Sequence, residues 1–134
     1  MTQFIAAKRL LRILWLLAIW IVVIGSLLPE TSSAIQALNR LKISDKIEHF
    51  AAYAVLAFLP AIHERPKFTV AAVIGAIALG VILEFGQLYS GWRNFEIGDM
   101  LADAAGACFG VAAGIPMRST EIIRSVFSKD IQTR

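Results

Sequence analysis

Four polar side chains stand inside long apolar stretches of this chain, where an ionisable group costs roughly 2.5–3.5 kcal/mol even on the mildest insertion scale. Glu84 and Gln87 lie near the end of one stretch, and Asp99 and Asp103 near the start of the next. A further set, Asp45, Lys46, Glu48 and His49, opens the stretch before them. Three kinds of chemistry fit these types. Carboxylates beside an imidazole can move protons, which makes His49, Glu84 and Asp99 the catalytic candidates. The donors His49, Glu84, Asp99 and Asp103 could instead hold a hard divalent cation through oxygen ligands and one imidazole. Lys46 and Arg93 could pair with a phosphate headgroup.

Spacing places these residues on shared helical faces. Asp45, His49 and Tyr53 fall at i, i+4 and i+8, Glu84 and Gln87 at i and i+3, and Asp99 and Asp103 at i and i+4. Gly106, Gly110 and Gly114 continue near the Asp99–Asp103 stripe. Small residues at that spacing let helix backbones approach closely. The polar face of this helix is therefore expected to be its packing face, with the acids aimed into the bundle.

Plainer roles compete at each position. Asp45 with Glu48 resembles a capping box. Lys46 and Arg93 could be anchors whose stems lie along apolar surface, and Tyr53 a packing aromatic. Glu96 and Asp99 could complement a helix dipole, with Asn94 as the cap. Capping explains neither Asp103, a turn further inside, nor Glu84, in the interior of its stretch. The plain alternative for Glu84 is an ion pair with Arg93 or Lys46, and for the whole layer a structural ion-pair network.

The elements that must position these groups are membrane helices. The chain has 134 residues, 57% hydrophobic and 17% charged, with a mean hydropathy of +0.68. A soluble domain is roughly 45–50% apolar and about 25% charged. The length suits a single domain, 1–134. Four spans are expected, at about Ile13–Leu28, Ile47–Ile62, Phe68–Leu88 and Ile97–Met117, followed by a tail over 118–134. The apolar part of the second is short, so its helix must include Asp45, Lys46, Glu48 and His49. A signal peptide is the rival account of the first run, with Lys8, Arg9 and Arg12 before it and Ser32-Ser33-Ala34 after it, but the run is long for that role. The fold class expected is an all-α, four-helix membrane bundle.

The basic residues set orientation. With four spans, Lys8, Arg9, Arg12, Arg65, Lys67, Arg118, Arg124, Lys129 and Arg134 share one side, and Arg40, Lys42, Lys46 and Arg93 the other. That asymmetry puts both termini in the cytoplasm. Every unusual polar residue then converges on the extracytoplasmic end. The net charge of +3 comes from residues flanking apolar runs, which speaks against nucleic-acid binding. Cys108 is the single cysteine, so there is no intramolecular disulfide and no cysteine metal site. Residues 31–43 and the tail from Ser119, with Ile122, Ile123, Val126, Phe127 and Ile131 on one stripe, pattern as amphipathic helices at the membrane surface.

The segments DKIEHFAAYAVL and LEFGQLYSGWRNFEIGDMLADAAGACFG together resemble the VanZ-like family of small bacterial membrane proteins. The positions carrying the resemblance are Asp45, Lys46, His49, Tyr53, Glu84, Gln87, Arg93, Asp99, Gly106 and Gly110, and it covers about residues 26–115. One position departs: Asp103 stands where the family usually has Asn, which adds an acid to the layer. The family takes its name from a protein that lowers susceptibility to the glycopeptide antibiotic teicoplanin. The resemblance implies a multi-pass protein of the bacterial inner membrane and cell envelope, and no particular reaction. The partners expected are membrane lipids or a lipid-linked envelope intermediate, and the chain is compatible with a homo-oligomer. The ligand-binding set expected is Asp45, Lys46, His49, Tyr53, Glu84, Gln87, Arg93, Asp99 and Asp103, with a divalent metal as the one cofactor these donors suggest.

Overall fold

The computed structural model describes residues 2–29, 31–40, 43–91 and 96–119. These residues form five helices: α1 (Thr2–Leu27), α2 (Ser33–Asn39), α3 (Asp45–His63), α4 (Pro66–Ser90) and α5 (Ile97–Ser119). Three of them are long and apolar enough to cross a membrane, over Lys8–Leu27, Pro66–Ser90 and Ile97–Arg118. The 19-residue α3 is not among these, because Asp45, Lys46, Glu48 and His49 occupy its first turns.

The packing is inverted relative to a soluble protein. Trp20, Ile21, Ile74, Ile82 and Leu101 are each more than 60% exposed. Ala57, Ala61 and Ala107 are fully buried, in company with Glu84 and Asp103. Such a broad apolar exterior on a monomer calls for lipid rather than water around it.

The boundaries follow from local chemistry. α1 begins well before the apolar run that starts at Ile13, because Lys8, Arg9 and Arg12 are good helix formers whose long stems tolerate an apolar edge. Ser44 occupies the N-cap position of α3 in extended conformation and makes no side-chain cap bond. Asp45 is thus the first helical residue and not the N-cap. Pro66 opens α4, where a missing N–H costs nothing. Gly91 ends α4 with φ 72°, a left-handed cap that favours glycine, its N–H donating to the Gln87 carbonyl at 3.2 Å. Within 31–43 the helical part is only Ser33–Asn39, entered through Ser32, whose hydroxyl accepts from the Ile35 N–H at 3.4 Å. The amphipathic tail expected beyond Ser119 lies outside the described residues.

The most extensive helix pair is α3 with α5. It closes along the glycine stripe. A Cβ on Gly106 would stand 2.2 Å from the Phe50 carbonyl oxygen, and one on Gly110 2.1 Å from that of Ala54. α1 joins through a backbone defect. Pro60 has no N–H to give the carbonyl four residues earlier, that of Leu56. The Trp15 indole N–H supplies the missing donor at 2.8 Å. At the other end of α1, the Ser26 carbonyl lies in the last turn, where intrahelical donors run out. Gln87 Nε2 donates to it at 2.9 Å and ties α4 to α1.

Candidate functional site

The polar residues of three helices meet at one end of the bundle. α3 contributes its first two turns, α4 its last two, and α5 its first two. Glu84, Gln87, Asp99 and Asp103 are each at most 3% exposed, so all four point inward. His49 is partly buried, while Asp45 and Lys46 are exposed at the rim.

His49 is the centre. Its Nδ1 lies 2.9 Å from Asp103 Oδ1. Opposite an ionised carboxylate, which accepts only, Nδ1 would carry the proton; the ring turns Nε2 the other way. Nε2 stands 4.0 Å from Asp99 Oδ2, too far for a hydrogen bond. Donor atoms of Asp45, His49 and Asp99 all lie within 4.8 Å of one another.

Lys46 spans the rim. Its Nζ sits 2.7 Å from Glu96 Oε2 and 3.5 Å from Asp99 Oδ1. Its stem crosses Gly98, where a Cβ would stand 2.7 Å from Lys46 Cε. Glu84 accepts the Glu96 backbone N–H at 3.3 Å through Oε2, which places its charge by the N-terminal end of α5. Three oxygens in this layer, Glu84 Oε1, Asp99 Oδ1 and Asp103 Oδ2, are buried and accept no hydrogen bond from the described groups. Leaving a polar group in that state costs on the order of 1–3 kcal/mol.

The sequence-derived residues separate into groups on this geometry. Asp45, Lys46, His49, Asp99 and Asp103 come together, with Glu84 joined to them through Glu96. Gln87 is committed to the Ser26 carbonyl, and Tyr53 is a buried core aromatic beneath the acids. Ser90, the nearest hydroxyl in sequence, donates to the Gln87 carbonyl at 2.8 Å. Arg93 lies outside the described residues. Glu84 and Asp103, both expected among metal ligands, are outside the three-residue donor group, and Asp45 is inside it.

Two contributors escape a reading for chemical groups: Gly98, beneath Lys46, and Gly80. A Cβ on Gly80 would stand 2.5 Å from Asp103 Oδ2 and 3.2 Å from the Tyr53 hydroxyl. Gly80 therefore makes room in α4 for the Asp103 carboxylate. Its position four residues before Glu84, on the same helical face, is the signal that would have found it.

The opposite end of the bundle is different in kind. An apolar groove of about 560 Å³ runs between α1, α3 and α4, lined by Trp15, Leu56, Ala72 and Ala76 and closed by Arg12 and Glu64. Those two side chains pair at 2.6 Å.

No protein-family model, curated protein or solved structure matches the chain.

Proposed function

We propose that this is a bacterial cell-envelope protein of the VanZ type that binds a lipid or lipid-linked envelope component by its phosphate headgroup. In this reading α3 crosses the inner membrane together with the three more apolar helices. Both termini are cytoplasmic, and the His49–Asp99–Asp103 layer opens to the extracytoplasmic leaflet. An effect on glycopeptide susceptibility would be one downstream consequence.

The observation that carries the proposal is where polar groups are buried. Glu84, Asp99 and Asp103 are almost wholly enclosed together at one end of a bundle whose exterior is apolar, whereas, among the described residues, the other end buries His63 and Thr69 and no carboxylate to that degree. Ionisable residues held inside a membrane bundle mark functional sites by default. The ammonium of Lys46 lies exposed at the rim of this layer, where in this orientation it can meet a phosphate. The basic residues at the opposite membrane face support the orientation.

A second reading, a membrane-embedded hydrolase or transferase acting on such a lipid, is favoured by one feature. Asp103 orients His49 so that Nε2 faces away from its partner, the arrangement of an imidazole set to take a proton.

The test is lipid retention. Protein in nanodiscs containing anionic phospholipid and undecaprenyl phosphate is extracted into detergent, and co-purifying lipid is measured by mass spectrometry. Specific retention of one phosphate lipid, reduced at least about tenfold in Lys46→Met, is expected; tenfold corresponds to about 1.4 kcal/mol. Equal retention of every lipid by wild type and variant would refute headgroup binding.

A further inference from the structure

We propose that Asp45, His49 and Asp99 bind one divalent transition-metal ion of the Zn²⁺ or Mn²⁺ class, with Asp103 fixing the imidazole from outside the coordination shell. Four independent features of the geometry lead there.

The first is the donor set. One imidazole nitrogen and two carboxylate oxygens, all within 4.8 Å of one another, come from two helices that the glycine stripe holds in close register. Ligands on one such ion at about 2.0–2.2 Å are separated from one another by roughly 3–4 Å, so modest side-chain rotation suffices. The second is the tautomer. A metal-bound histidine characteristically donates its other ring N–H to a carboxylate, which raises the basicity of the ligating nitrogen. His49 does this toward Asp103 at 2.9 Å, and its Nε2 is left facing Asp99 Oδ2 at 4.0 Å. Those two acceptors need a cation or a proton between them.

The third is a buried oxygen without a donor. Asp99 is 3% exposed, and its Oδ1 accepts no hydrogen bond from the described residues. The Lys46 ammonium stands 3.5 Å away, beyond ordinary hydrogen-bond length, and is engaged more closely by Glu96. The fourth is charge. Among the described residues, Asp45, Glu84, Glu96, Asp99 and Asp103 crowd one end of the bundle around the Lys46 ammonium. A divalent ion offsets two of these charges directly and leaves the layer able to meet a phosphate.

Three protein ligands leave coordination positions open toward the rim, where Asp45 is exposed. A water or a phosphate oxygen can fill them. That link to a phosphate rests on the headgroup reading above; the ion itself does not. Imidazole favours Zn²⁺ over Mg²⁺ and Ca²⁺, and the two carboxylates keep Mn²⁺ in competition.

The experiment is metal binding by the full chain in detergent, stripped with chelator and titrated with Zn²⁺, Mn²⁺ and Co²⁺. The expected result is one ion per chain, with Co²⁺ giving a visible absorption band of a nitrogen- and oxygen-ligated centre. His49→Gln should abolish that band. Asp45→Asn changes an exposed residue in the first turn of α3, so it leaves the fold intact and should weaken binding at least about tenfold. Absence of stoichiometric binding, or affinity unchanged in folded Asp45→Asn and His49→Gln, would overturn the site. Lipid retention is scored separately on the metal-loaded and the metal-stripped protein, and counts as absent only when both lack it. Retention without metal binding overturns the ion and spares headgroup recognition; metal binding without retention does the reverse.

Discussion

His49 Nδ1 lies 2.9 Å from Asp103 Oδ1, and this bond joins the two helices that pack most closely, α3 and α5. It holds the imidazole in one orientation. It also determines what a substitution at either residue should do, since both partners are sheltered from water and neither can turn to solvent when the other is lost.

Asp103→Asn retains an oxygen that can accept the Nδ1 proton, and it matches Asp in volume. The folded state should survive with its melting temperature within a few degrees of wild type. Asp103→Val keeps the approximate size and removes the acceptor. The stranded Nδ1–H should then cost about 1–3 kcal/mol. Thermal unfolding in detergent compares the two, and equal losses would mean that packing, not the hydrogen bond, is what Asp103 contributes.

The glycine stripe yields a sharper contrast. Gly110→Ala would place a Cβ 2.1 Å from the Ala54 carbonyl oxygen, a backbone atom that cannot rotate away. α3 must move off α5, and overpacking of this kind costs about 1–3 kcal/mol. It should also separate His49 from Asp103, lowering any ligand binding beyond the stability loss. Gly75→Ala is the control: no atom lies within 4 Å of the added Cβ, and removing a mid-helix glycine should gain about 0.5–1 kcal/mol. Unfolding curves of the pair read the opposite signs directly.

How much of this was legible beforehand depends on whether a feature is set within one helix or between two. The i, i+4 pairs Asp45–His49 and Asp99–Asp103, the glycine stripe and the inward aim of the acids follow from helical periodicity alone. Contacts between helices depend on register, which periodicity leaves free. Gln87 matched the polar stripe, yet its amide is committed to the Ser26 carbonyl of α1. Asp45 matched an N-cap, yet the helix starts one residue earlier, with Ser44 at the cap, and the Asp45 carboxylate lies near His49 and Asp99. Gly80 and Gly98 carry no chemical group and become visible only once a neighbour's side chain is seen to need their space.

Trp15 illustrates the same limit and gives a third prediction. Its indole N–H replaces the backbone donor that Pro60 lacks, satisfying the Leu56 carbonyl at 2.8 Å. In an apolar surround an unmet carbonyl has no water to turn to. Trp15→Phe keeps most of the ring and loses the donor, so it should destabilise the chain by about 1–3 kcal/mol. Adding Pro60→Ala restores a backbone N–H to Leu56 and should recover most of that loss. A double-mutant cycle of melting temperatures measures the coupling; strict additivity would break the proposed link.

The Arg12–Glu64 pair at the opposite end governs a pH effect. Glu64 lies between α3 and α4, outside the apolar spans, and the Arg12 guanidinium hydrogen-bonds it at 2.6 Å. That contact, with a smaller contribution from the nearby charges, holds the Glu64 carboxyl below the usual glutamate range. A carboxylate whose pKa is lowered on folding binds fewer protons in the folded than in the unfolded state. Its stabilisation is therefore fully present above the unfolded value of about 4.3 and disappears as pH falls through the lower, folded value. At neutral pH wild type should melt above Glu64→Gln, the carboxylate pairing with Arg12 and facing the His63 ring at 3.4 Å. Below about pH 4 the margin should shrink toward zero, and it should shrink also in high salt because Arg12 is largely exposed. Melting curves of the two proteins from pH 3 to 8 measure it, and a margin independent of pH would show that Glu64 acts through packing and not through its charge.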